Sequence, residues 1–146
     1  MPQPDETIRL LLETRLHAMP GRPAVAWENR DFTPPSGAIY IRPTLQSGAQ
    51  DIRTILPGNL GHAVSETGLF LVDVFCPQGA GTAPGGQVAE AVRARFAPGL
   101  SLSAEGVFVR VLGCARDAGR QDEASARWMI PITVRFRADY RAPAPV

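Results

Sequence analysis

Apolar residues recur along this chain with two different periods. Over residues 5–19, Ile8, Leu11, Leu12, Leu16 and Met19 fall at helical spacing and form one stripe. Asp5 and Glu6 stand in the first turn, where negative charge suits the helix dipole, and Pro20-Gly21 end the segment. A second stripe, Val88, Ala91, Val92 and Phe96, predicts a helix over 87–96, closed by Pro98-Gly99. Each stripe reads first as a face that covers a core.

Elsewhere the period is two. Strands are predicted over 24–29, with Val25 and Trp27 on one face, and over 38–45, where Pro43 favours an edge. Residues 68–76 alternate Phe70, Val72, Val74 and Cys76 against Leu69, Leu71, Asp73 and Phe75. Being apolar on both faces, this strand should lie centrally with a helix or a partner on each side. Strands over 107–112 and 128–136 follow, Pro131 implying an edge or a bulge. Residues 46–67 are polar and broken by Gly48, Pro57, Gly58 and Gly61. They predict an irregular arm, either a protruding segment that orders on a partner or a floppy hairpin tip, since structureless loops beyond ~12–15 residues are rare in compact domains and are usually functional or disordered. Residues 116–126 predict a hairpin loop, and 141–146 a frayed tail. The resulting order, α-β-β-β-α-β-β, implies α+β: a single domain over 1–146, mainly an antiparallel twisted sheet with two helices packed on it.

Composition narrows the picture. The chain has 146 residues, 45% hydrophobic and 20% charged, the balance of a globular domain large enough to need no metal or disulfide staple. No apolar run reaches the ~18–20 residues that cross a bilayer, and the acidic start lacks the pattern of a signal peptide, so no membrane partner and a cytoplasmic site of synthesis are expected. The net charge of +1 predicts no nucleic-acid specificity. All 15 basic residues are Arg, a bias typical of GC-rich coding and also of residues that serve well at interfaces. Cys76 and Cys114 lie far apart without a CxxC and read as small buried hydrophobes.

A search for chemistry returns none: no catalytic, cofactor-binding or metal-ligating residues are assigned. The glycine-rich run Gly79–Gly86 lacks the Lys of a phosphate loop, and Pro84 breaks the dinucleotide spacing. His17 and His62 have no nucleophile motif beside them. Association candidates remain: Trp27, Phe32 and Tyr40 as rigid anchors, Arg42, Arg53 and His62 as polar contacts, Asp73 as one half of an inter-subunit ion pair, and Gly79 and Gly81 in a tight loop. For Trp27 and Phe32, core packing is the simpler expectation, and for Asp73 a solvent-facing or hydrogen-bonded carboxylate.

Together the strings Val25-Ala26-Trp27-Glu28-Asn29, Phe32-Thr33-Pro34-Pro35 and Tyr40-Ile41-Arg42-Pro43 resemble the N-terminal signature of the phage tail-terminator-like family. Gly68-Leu69-Phe70, Val72-Asp73-Val74-Phe75 and Pro77-Gln78-Gly79-Ala80-Gly81-Thr82 are similar to its central strand and following loop. Segments 46–67 and 113–127 carry no matching motif. The resemblance implies a non-enzymatic α+β subunit in the virion tail, assembled in the host cytoplasm. It implies a six-fold homo-oligomeric ring that caps the head-proximal end of the tail tube. The ring's partners would be the major tail tube protein and a head-completion or neck protein. Two alternatives are another head–tail joining protein and, more distant, a small ligand-binding domain or enzyme using Gly79–Gly86.

Overall fold

The computed structural model describes residues 3–58 and 60–143. Helix α1 (Pro4–His17) buries Ile8, Leu12 and Leu16, opens with Pro4 where a missing N–H costs nothing, and carries Arg15 and His17 in its last turn. Strands β1 (Ala24–Val25), β2 (Tyr40–Gln46), β3 (Gln50–Ile55) and β4 (His62–Cys76) precede helix α2 (Ala83–Arg95). Strands β5 (Ser101–Ala104), β6 (Val107–Arg116), β7 (Arg120–Asp122) and β8 (Arg127–Ala142) follow it. One mixed sheet results, ordered β1-β2-β4-β8-β6-β5, with β3 on β4 and β7 on β8. All pairings are antiparallel except β1 with β2.

Two long strands organise the sheet. β4 and β8 pair from His62↔Ala142 to Cys76↔Trp128. β2 and β3 lie end to end along the free side of β4, from Tyr40↔Phe75 to Ile55↔His62, so the hairpin β2–β3/β4 is a single ribbon with a break at 47–49. Both helices cover one face, where Phe70, Val72 and Val74 meet Ile130, Ile132, Val134 and Phe136 and the buried helix residues. Phe70 and Phe96 make the central aromatic contact, at 5.5 Å between centroids.

The α+β architecture and the α1 stripe stand as expected; in α2 Val92 and Phe96 are buried, but Ala91 is exposed and Ala89 faces the core in its place, and several boundaries also differ. Residues 46–67, predicted to be irregular, instead form the β3–β4 hairpin beyond the break at 47–49, because β4 supplies a continuous template from His62 and Leu56 N–H bonds Gly61 O where the hairpin closes. The first strand stops at Val25, beyond which Arg30 N–H bonds Trp27 O in a turn. Helix α2 starts at Ala83, so Pro84-Gly85-Gly86 form its first turn, where proline is tolerated. Gly85 lies against β4, and a Cβ there would stand 2.3 Å from Cys76 Sγ. β5 is added because Glu105 (φ 51°) and Gly106 (φ 77°) form a two-residue hairpin turn with both φ positive. β7 lies inside the predicted 116–126 loop, and β8 runs through Ala142, into the segment expected to fray; residues 144–146 are outside those described.

Both sheet prolines sit where no ladder bond is lost. Ile41 O accepts from Ala26 N–H, so Pro43, two residues on, aims its nitrogen to the same outer side, past the end of β1. Pro131 O accepts from Asp117 N–H at 3.0 Å, placing its nitrogen at the gap between β6 and β7.

Candidate interaction surfaces

The face of the sheet opposite the helices is closed at one end by an aromatic stack. Tyr40 stacks on Phe75 (4.7 Å, 10°) and meets Phe32 at 5.1 Å; Met129 completes this second buried cluster. Two guanidiniums cap it, Arg127 over Tyr40 at 4.9 Å and Arg42 over Phe75 at 4.8 Å. Arg127 also donates to Ala38 O and Pro35 O, both at 2.6 Å, tying the 32–39 loop down on the sheet. Tyr40 and Phe32 therefore serve first as packing anchors.

Asp73 finds its cation within the chain. Arg42 is its cross-strand neighbour, Nη2 to Oδ2 at 3.2 Å, with 17% of the Asp73 side chain and 49% of the Arg42 side chain exposed. Burial raises the Asp73 pKa, and the Arg42 hydrogen bond opposes that rise. Beyond this pair the open face carries half-buried Leu69 and Leu71, and also Thr133 and Arg135, with no helix over them.

Trp27 borders a cleft of about 520 Å³ between α1 and the 27–30 turn, facing His17 at 6.3 Å. Arg9 donates to Glu28 at 2.8 Å and lies 3.6 Å from Glu13. Burial alone would raise the Glu28 pKa, yet the Leu45 N–H (2.6 Å) and Arg9 together hold it below the ordinary value. Glu28 thereby clamps α1 to β2, a structural use of the Trp-Glu-Asn string.

The arm carries three of the exposed large apolar side chains; Leu10 on α1, 64% exposed, is another. Ile52 is 60%, Ile55 71% and Leu60 54% exposed. Arg53 is the extra residue of a bulge between Ile52 and Thr54, and His62 opens β4 opposite Ile55, its Nδ1 buried without a hydrogen-bond partner. Sequence reading named Arg53 and His62 and passed over the three apolar residues, although Ile52, Ile55 and Leu60 stand out in an otherwise polar stretch. Phe108 and Leu112 on β6 are likewise exposed and were missed, since alternation cannot tell an open face from a covered one.

Gly79 and Gly81 both have positive φ in the exposed loop before α2, beside a shallow pocket lined by Gln78, Thr82, Gln121 and Trp128. The structure thus gathers Phe32, Tyr40, Arg42 and Asp73 on one face and leaves Trp27, the arm residues and the glycine loop apart. Among the described residues no group of His, Cys, Asp or Glu is arranged to hold a metal, and no helix is long and apolar enough to cross a membrane.

A hairpin with exposed apolar side chains and a sheet face with no helix over it are the surfaces that core packing leaves unused. Comparison with known proteins gives the family: residues 7–136 match the model for phage tail terminator proteins. The chain belongs to the phage tail terminator family, and is a structural protein of the phage tail. A search of curated protein sequences found no match. Among solved structures, one is 26% identical at a TM-score of 0.71, covering 94% of this chain and 97% of that one. A chain of the virion of a native gene transfer agent particle is 19% identical at 0.56, covering 97% and 100%, and shares the fold.

Proposed function

We propose that the protein forms a closed ring of six subunits on the head-proximal end of the tail tube, ends tube polymerisation there and presents a docking surface to a head-completion protein. The family assignment supports this reading, and the observation that carries it is the arm: three exposed apolar residues on a hairpin that β4 holds rigidly at its base. Such a patch on a projecting element matches what a partner surface must bury. The tip of the arm, with Ile55 and Leu60, meets the tube end, Arg53 and His62 stand beside these contacts, and the Arg42–Asp73 face belongs to the ring surface. Asp73 reaches a neighbouring subunit only by sharing its bond with Arg42.

Closure of the ring is what makes the protein a terminator, because two different patches per subunit build either a ring or an endless filament. Light scattering with negative-stain images of purified protein, alone and with tail tubes, tests the reading. Rings of six that cap tubes and block further addition of tube subunits are the expected result. Monomers that never assemble, even on tubes, would overturn it.

A further inference from the structure

We infer that the ring is held by strand pairing between copies, β3 of one subunit lying parallel to β5 of the next, so that the sheets join into one. This rests on the ring reading above and names its interface. Among the described residues β3 pairs only with β4, and β5 only with β6, so each leaves a free edge. The free edges sit on opposite sides of the sheet, as a head-to-tail contact requires.

They also lie level: Gln50, Glu66, Ala138, Val109 and Leu102 follow one another across the strands in a single row. Each step from β3 through β4, β8 and β6 to β5 reverses direction, so β3 and β5 run the same way. With the strands running roughly along the ring axis, rotation about that axis preserves their direction, which makes the new pair parallel.

The two edges fit in chemistry. β3 is exposed along its whole length and contains no Pro, and before the bulge at Arg53 its residues Gln50–Ile52 keep a regular register. Ile52 lies on the helix side with Val64 and Tyr140, the side on which Leu102 faces Val109. On the other side β5 offers Ser101 and Ser103, short enough for a second backbone to approach, and Ser103, paired with Phe108, lies level with Asp51. Val111 N–H bonds Leu100 O, so by alternation Leu102 and Ala104 turn their main chain to β6 while Ser101 and Ser103 turn theirs outward. An unsatisfied outward row on each edge is the basis of strand addition.

The test uses Ser103→Pro, which removes an outward N–H and no bond within the chain, and Ile52→Lys, which charges the other edge. Each variant should keep the wild-type far-ultraviolet circular dichroism spectrum and fail to form rings. In wild-type rings the Ser101 and Ser103 amides should exchange at least about tenfold more slowly than in Ile52→Lys monomers. If wild-type protein forms rings while both variants also form them, and these amides exchange freely in the wild-type ring, the interface is wrong and the ring stands. If wild-type protein forms no ring under any condition, the failure is that of the functional reading itself.

Discussion

Glu66 shows what one side chain can report. It is buried on β4 near Asp5 with no ion-pair partner among the described residues, and burial, aided by the Asp5 charge, raises its pKa. A carboxyl whose pKa rises on folding binds its proton more tightly in the native state. It therefore costs stability as pH climbs from the ordinary Glu value near 4.5 through the raised one, and that cost disappears below the ordinary value. Glu66→Gln should melt above wild type at pH ~7, with the gap closing by pH ~4; a variant melting no higher at neutral pH would refute this. Asp73 behaves differently, because its partner Arg42 is half exposed. Asp73→Asn should cost less than ~1 kcal/mol in denaturant titration, and loss of ring assembly in that folded variant would reveal a neighbour's Arg at this carboxylate. Both assignments needed the structure: the sequence shows Asp73 interrupting an apolar strand, but only the β2–β4 register puts Arg42 opposite it.

At the scale of elements, the break in the long ribbon is its most demanding point. Three residues, 47–49, face two on β4 between Gln46↔Leu69 and Gln50↔Glu66. Gly48 crosses so close to Thr67 that a Cβ would lie 1.5 Å from the carbonyl oxygen, backbone that cannot step aside. Gly48→Ala should therefore cost at least ~2 kcal/mol and raise amide exchange in β3 more than in β8. Equal stability would mean that the arm can swing free of β4. Helices and long strands were legible because their apolar period is sustained; Leu12 and Leu16 of α1 and Val72 and Val74 of β4 all lie in the core as the stripes predicted. β3, β5 and β7 were not, because QDIRTI, SLSA and RQD become strands through the partners that β4, β6 and β8 provide.

For the molecule as a whole, the separation of core from arm allows stability and assembly to be altered independently. Ile55→Asp touches no core cluster and should shift unfolding by less than ~0.5 kcal/mol, while tube capping falls away. Unimpaired capping by that variant would move the tube contact elsewhere on the subunit. The sequence by itself determined the α+β class, the α1 stripe, the central double-sided strand and the family strings, since these depend on local periodicity and short-range chemistry. Tertiary structure alone decided which face of β4 stays open, that residues 46–67 form a hairpin, that Arg42 answers Asp73, and that free edges stand level at opposite sides of the sheet. Those are matters of register and of pairing between distant segments, and a linear pattern of polar and apolar residues does not encode which strand lies beside which.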